Sequence, residues 1–493
     1  NESVSRSRYV CACVAGREGA VCRASTFLSP GCSRRRDVFG NFVFKQEQEF
    51  FDVVEQCLKV LEQQEEENMK AFLKKHFPAL IPYVRKLRTT TDKLIWRLIA
   101  AFPCFRALAT RCGFFCQKLY IGSILDTCKK EGEVLQVLDN EIRYEIIGEQ
   151  DSAEEIEQHR DRAPRVPVSC APVYVGKLRD VTVVGNSDFI IKDNRYLTDR
   201  VCWDELGIYR NPHTSIKKCK KGEPLLLAGK KHSEIIEKGI FLQGRWSLNY
   251  YHWTIDILPR IRYVDELRDY ENIPLLISKD GCRDDKNVEL LKQFNKFNRP
   301  IIYLEEGVFY QVKELIYPSQ NTWPFWDYRG EDRAAIGAYH PKCMEIIREY
   351  VLGERENHST EKKVYITRGD NRRLVNESEI EKCFESSGFE IVNPNNMTLE
   401  QEIEVFAQAK IVVGVVGAAF TNMVYCKSGT LIAQICPASY QLISAEGLAQ
   451  ACGLRFQYIC ADLTTGSSSL STSTFFLPQD HCMEMIKLCG MDE

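Results

Sequence analysis

A histidine followed four residues later by an aspartate is the first chemistry that this sequence offers. The pair lies in Asn249-Tyr-Tyr-His252-Trp-Thr-Ile-Asp256-Ile-Leu-Pro259-Arg260. On a helix this spacing sets both side chains on one face, so the carboxylate can orient or charge the imidazole. A histidine tuned in this way suits general-base work on a hydroxyl. The same pairing also serves as a plain helix contact. Arg260 continues the face one turn later, and Pro259 is placed to kink the helix.

A second constellation is cationic. In Tyr365-Ile-Thr-Arg368-Gly-Asp-Asn-Arg372-Arg373-Leu-Val-Asn376-Glu377, Arg368 leaves a predicted strand. Arg372 and Arg373 follow in one loop, before a helix that Asn376 is placed to cap. Guanidinium groups converging beside a helix N-terminus suit a pyrophosphate, through bidentate bonds and the helix dipole. An arginine-rich surface loop is the plainer alternative. The third is Val413-Gly414-Val-Val-Gly417-Ala418-Ala419-Phe-Thr421-Asn422, a buried strand running into small residues and then a helix. Small residues allow a nucleotide to approach the backbone, and tight strand–helix packing accounts for them equally well. The spacing is not the G-x-G-x-x-G fingerprint, which disfavours a dinucleotide-dependent oxidoreductase.

These residues need a scaffold, and the remaining sequence describes one. At 493 residues the chain is long enough for two or three domains, and 44% hydrophobic with 27% charged residues describes a globular protein. A balance of 65 basic against 68 acidic residues gives no global reason to expect a nucleic-acid partner. The 21 cysteines form no zinc pattern, because Cys11-x-Cys13 and Cys112-x3-Cys116 have no matching partner pairs. Most are expected to be reduced, buried small residues.

Residues 1–45 show no period and read as a loose extension, and residues 46–150 read as helical. Within 83–118, Arg85, Lys86, Arg88, Lys93, Arg97, Arg106, Arg111 and Lys118 face one acid, Asp92, among many aromatic and aliphatic residues. That composition predicts either a basic amphipathic helix for peripheral membrane contact or a helix packed on its own protein. Residues 131–168 read as a linker. Beyond it, short strands alternate with helices of about ten residues, which predicts parallel sheets with right-handed crossovers. Two such units are expected, over 168–330 and 331–493, with a cleft between them.

The order NYYHWTIDILPRI, YITRGDNRRLVNE, VGVVGAAFTN and GTLIAQI resembles glycosyltransferase family 61 over roughly residues 170–460. The resemblance implies an α/β, GT-B-like fold of two Rossmann-like lobes, with acceptor on the first and sugar nucleotide on the second. It implies inverting, metal-independent transfer from a nucleotide-sugar donor, with no cofactor, to a hydroxyl of a glycan or lipid-linked acceptor in surface or capsular polysaccharide synthesis. His252 and Asp256 then become the catalytic pair. Arg368, Arg372, Arg373, Asn376, Glu377, Gly417, Ala418, Asn422 and Gln434 become the donor site. Two positions depart from the family pattern: Val416 stands where histidine is common, and Gln434 where an acid is common. A binding-only member of the same fold is therefore the alternative. The expected place is the cytoplasmic face of a membrane, with the Golgi lumen as the second choice.

Overall fold

The computed structural model describes residues 114–147, 165–199, 215–218, 224–320, 322–326, 335–353, 359, 361–368, 374–437, 443–464 and 474–488, apart from positions 132 and 245. It also describes a short antiparallel pair, Cys13–Val14 with Val21–Cys22.

From Phe114 the chain forms β1 (Phe114–Ser123), α1 (Ile124–Glu131), β2 (Val134–Asp139), β3 (Ile142–Ile147), β4 (Arg165–Cys170) and β5 (Val173–Val184). Then come β6 (Ile190–Lys192), β7 (Arg195–Thr198), β8 (Ile216–Lys218) and the long β9 (Leu225–Leu242). A helical segment from His252 ends in α2 (Ile261–Asp265) and is followed by β10 (Leu275–Ser278), α3 (Asp285–Phe294), β11 (Ile301–Leu304) and β12 (Phe309–Pro318). The hairpin β13 (Thr322–Trp326) and β14 (Ala335–Tyr339) leads into α4 (Pro341–Leu352).

Ten of these strands share one mixed sheet, in the order β11-β10-β9-β12-β5-β6-β7-β1, with β2 on β5 and β8 on β9. Its first half is parallel, as expected. Strand β5 then joins β12 antiparallel, which departs from the parallel sheet that the alternating pattern predicts. The cause lies in β9. Its first residues, Leu225–Lys230, pair antiparallel with β1, whereas Lys231–Ile240 pair parallel with β12. Because β1 also pairs with β7, the pairings return on themselves in a closed circuit. Phe189, Tyr196, Leu225 and Phe309 pack as one apolar cluster between these strands.

The described part of the region expected to be helical is mostly strand. In β1, Lys118 and Tyr120 are exposed on either side of buried Leu119, a period of two rather than 3.6. Lys118 is thus the outward residue of a strand, and the rest of the basic segment, 83–113, lies outside the described residues. The stretch read as a linker holds β2, β3 and β4, with β3 and β4 forming their own antiparallel hairpin.

The second sheet follows the sequence closely. It comprises β15 (Lys362–Ile366), α5 (Glu377–Ser386), β16 (Glu390–Val392), α6 (Leu399–Ala407), β17 (Ala409–Val415), β18 (Leu431–Cys436), α7 (Ile443–Ala451) and β19 (Arg455–Cys460), with α8 (Gln479–Leu488) last. All pairings are parallel, in the order β16-β15-β17-β18-β19. Every residue of β18 is buried, as a strand covered on both faces requires. Chain order here reverses between β15 and β17, a topological switch point, and ligands of such sheets bind outside the strand ends there.

Among the described residues, apolar packing joins the two sheets. One continuous core runs from Val173, Ile240 and Leu242 of the first, through Trp253 and Leu290, to Val412, Ile432 and Tyr458 of the second.

Candidate active site

The helical segment carrying His252 is not a regular α-helix. His252–Ile257 is a π turn and Leu258–Arg260 a 3-10 turn before α2 begins. Pro259 has no N–H to give, and the Leu258 N–H reaches back five residues to the Trp253 carbonyl. The kink expected at proline is therefore a wide turn followed by a tight one. π turns of this kind are rare and recur at functional sites.

Arg260 leaves the face of His252 and enters the core, where it is 1% exposed. Its guanidinium donates to the carbonyls of Pro318 (2.7 and 3.1 Å), Gln243 (3.1 Å) and Phe241 (3.2 Å). These lie at the carboxyl ends of β12 and β9, so Arg260 fixes the π turn to the first sheet. Trp253 adds a second anchor: its indole N–H donates to Asn287 O at 2.9 Å, and its ring lies against Gly281, where any Cβ would collide with it.

Within this frame the predicted pair forms. His252 Nδ1 lies 2.6 Å from Asp256 Oδ2, and the other carboxylate oxygen accepts from the buried Thr322 hydroxyl. Asp256 is thus held from two sides. With Nδ1–H donated to the carboxylate, Nε2 carries the lone pair. His252 keeps 20% of its side chain exposed, Trp246 packs on its ring at 5.1 Å, and Tyr251 meets it edge-on.

The second cluster forms at the switch point. Ile366 of β15 and Gly414 of β17 are register partners, so Arg368 and Gly417 emerge side by side. Arg368 Nη1 donates to Val416 O at 2.9 Å, and a Cβ on Gly417 would fall on that nitrogen. A larger residue here would push the Arg368 guanidinium aside. The Arg368 backbone N–H donates to Glu377 Oε1 at 2.6 Å, and Thr367 donates to Glu377 and to Glu381. Glu377 thus closes the β15–α5 loop from inside and supports Arg368. Asn376 does not cap α5 with its side chain; its amide donates to Leu477 O at 2.8 Å and ties the loop to the segment before α8. Arg372 and Arg373 lie outside the described residues.

Gly417 precedes an eight-residue 3-10 helix, Ala418–Tyr425, with Ala418 exposed at its start. Asn422 on that helix is 1% exposed and donates inward to Glu402 Oε2 at 3.0 Å. Gln434 is 2% exposed, with Oε1 unpaired inside the sheet. Both shape the region from below. At the end of the helix, Tyr425 OH meets Tyr250 OH at 3.3 Å, linking the loop to the segment that carries His252.

Sequence reasoning passes over the third partner in this region. Glu402 of α6 is 2% exposed, and it pairs with Lys286 of α3, which also donates to Pro394 O at 2.6 Å. Burial raises the Glu402 carboxyl above its usual range, with Lys286 and Asn422 opposing. The available signal is its place on the apolar stripe of α6, between Leu399 and Phe406, where a solvated glutamate does not belong. Among the described residues, no three His, Cys, Asp or Glu side chains are grouped to hold a metal ion. A cavity of about 420 Å³ lies elsewhere, on the β3–β4 hairpin beside Tyr144 and Ser169.

Residues 250–433 match the model of glycosyltransferase 61. Over that segment the chain is similar to glycosyltransferase 61. That segment begins at Tyr250, spans both clusters and ends one residue before Gln434. Xylan glycosyltransferase MUCI21 of Arabidopsis thaliana is 24% identical over 405 residues, covering 73% of this chain and 78% of that protein. The glycosyltransferase 61 match and this relative together support glycosyltransferase activity.

Proposed function

We propose that the chain is an inverting glycosyltransferase, moving a sugar from a nucleotide-sugar donor to a hydroxyl of a polysaccharide acceptor. The observation that carries this reading is the meeting of Arg368 and Gly417 at the switch point of the parallel sheet. The donor diphosphate lies against Arg368 and the exposed backbone from Gly417 to Ala418, on the side of residues 331–493. Arg372 and Arg373 follow Arg368 closely in sequence, and in this reading they add positive charge for the diphosphate. The acceptor approaches from the side of residues 168–330, which carries His252. The second sheet is parallel throughout with helices between its strands, and that is what supports a GT-B-like donor lobe.

In the proposed step, His252 Nε2 takes the proton of the acceptor hydroxyl as its oxygen bonds to the anomeric carbon. The bond from that carbon to the diphosphate breaks with inversion, and the nucleoside diphosphate leaves with the electron pair. Asp256 stabilises the imidazolium so formed. Arg368 strengthens its contact as charge develops on the leaving oxygen. Charge neutralisation by arginine and backbone N–H groups makes the transfer metal-independent.

The relative's name makes a xylan-like polysaccharide the first acceptor to try. The cytoplasmic placement gains no support from the comparisons, and we take the Golgi lumen as the working location. No helix of the described residues is long and apolar enough to cross a membrane. A thermal-shift panel of nucleotide sugars tests the reading, because a ligand that binds only the folded state raises the unfolding temperature. A donor that stabilises the parent but not folded Arg368→Ala is the expected result. Failure of every nucleotide sugar to stabilise or be hydrolysed by the parent refutes it.

A further inference from the structure

The loop before the π turn presents one aromatic side chain in an unusual way. Trp246 has φ of +57°, in the left-handed region where a bulky residue is an outlier. It is nevertheless 42% exposed, so core packing does not impose the conformation. The residues around it are fixed. Ser247 is fully buried and donates to Asn186 Oδ1 at 2.8 Å. Asn186 N–H donates to Gln243 Oε1 at 3.0 Å, and Gln243 in turn donates to Leu276 O. The Asn249 N–H closes a turn onto Trp246 O at 2.7 Å. A rigid, hydrogen-bonded base therefore holds an indole in solvent at the cost of backbone strain. That indole packs on His252 at 5.1 Å between centroids, tilted by 34°. Leu248, 51% exposed, stands two residues further on.

We propose that Trp246 is the acceptor-binding platform, stacking the apolar C–H face of a pyranose ring so that one of its hydroxyls meets His252 Nε2. A hydroxyl deprotonated by His252 must belong to a sugar within one ring's width of that imidazole. Trp246 is an exposed aromatic residue whose ring lies directly against it. An aromatic face takes up the axial C–H surface of a sugar, while the ring hydroxyls remain at its edge for hydrogen bonding. Leu248 extends the platform toward a neighbouring residue of an oligosaccharide. The assignment deepens the transferase reading above and rests on it for the identity of the base.

The test is calorimetric titration of the parent, Trp246→Ala, Trp246→Phe and Leu248→Ala with xylohexaose, cellohexaose and mannohexaose, without donor. At least one oligosaccharide binds the parent. Its Kd rises about tenfold in Trp246→Ala, and Trp246→Phe stays within about threefold of the parent. Leu248→Ala gives a smaller loss. In turnover assays Trp246→Ala raises the acceptor KM far more than it lowers kcat. Thermal unfolding of each variant establishes that it is folded. Equal Kd for the parent and folded Trp246→Ala overturns the assignment, as does a parent that binds none of the three. Donor binding by the parent is measured separately. A parent that binds oligosaccharide through Trp246 but no nucleotide sugar sinks the transferase reading and leaves the platform standing. Donor binding with an unaltered Trp246→Ala titration does the reverse.

Discussion

Gly417→Ala isolates the Arg368 contact without touching a charged residue. Gly417 sits in extended backbone, φ 172° and ψ 178°, which alanine adopts without strain. The whole effect therefore comes from the added methyl group, which would fall on Arg368 Nη1 with Cζ only 2.7 Å away. The guanidinium is the end of a flexible side chain, so it swings aside and the fold survives. What is lost is its bond to Val416 O, 2.9 Å in the parent, and with it the position of the charge. A hydrogen bond to a charged group contributes about 1.5–3 kcal/mol. The expected loss in donor affinity is thus roughly 10- to 150-fold. Calorimetric titration with the stabilising nucleotide sugar measures it.

Arg368→Ala alone should lose at least as much, and the double variant little beyond Arg368→Ala, because both changes act on one contact. Donor affinity equal to the parent in folded Gly417→Ala would refute this account. So would losses that add in full, which would assign Gly417 a role separate from Arg368.

Other outcomes follow from the same geometry. Asp256→Asn should lower kcat about 100-fold while sparing donor binding, and Thr322→Val, which removes only the far support of Asp256, should cost about tenfold or less. Activity should survive excess chelator; complete loss reversed by magnesium or manganese would contradict metal-independent transfer. Lys286→Met should destabilise the fold by on the order of 3 kcal/mol, the lower end for breaking a buried pair, since Lys286 keeps 26% of its side chain exposed. The raised Glu402 carboxyl predicts a pH signature. Folding favours its protonated form, so its contribution is greatest below the unfolded pKa and declines as pH rises toward the folded value. Stability of Glu402→Gln relative to the parent should therefore increase with pH over that window, as followed by thermal melts. Burial pushes the thiols of Cys170, Cys452 and Cys482 up to about 12, so iodoacetamide at pH 8 should spare them in the native protein and label them in denaturant.

The sequence was most legible where local pattern and final environment agree. In the second sheet each strand is a short apolar run and each helix has a clear start, such as the Thr398–Gln401 capping box of α6. Glu377–Ser386 and Gln479–Leu488 are helices of ten residues and Ile301–Leu304 a four-residue strand, the lengths that the alternating pattern predicts. Strand β9 shows the opposite case. Its middle, Lys230-Lys-His-Ser-Glu234, is polar and mostly exposed, so nothing local marks it as the bridge between two sets of partners. Its structure is fixed by pairing over more than a hundred residues to β1, which periodicity does not encode. At the site, the i to i+4 spacing of His252 and Asp256 was readable, whereas the inward turn of Arg260 was not. The wide π turn moves Arg260 off the face that 3.6-residue periodicity assigns it. Of the eleven described cysteines from Cys116 to Cys482, eight are buried, in keeping with their reading as small core residues.

Glu402 explains how the two clusters are kept in register. The apolar core shared by the two sheets is non-directional, so burial alone tolerates small slides of one against the other. Directed bonds do not. Lys286 of α3 reaches across to Glu402 and Pro394, Asn422 joins the same carboxylate, and Tyr250 meets Tyr425. These contacts connect the segment bearing His252 to the 3-10 helix that begins beside Gly417. At about 2 Å per residue that helix spans roughly 14 Å from Ala418 to Tyr425. A tilt at the tyrosine end is therefore carried to the arginine end. Relaxing the network should then cost activity beyond any cost in stability. Tyr250→Phe removes one hydroxyl contact and little volume, so its unfolding temperature should stay close to that of the parent. If the register account holds, acceptor kcat/KM still falls by about 3- to 10-fold, the equivalent of one hydrogen bond. Full activity in Tyr250→Phe would show that the apolar core holds the register unaided.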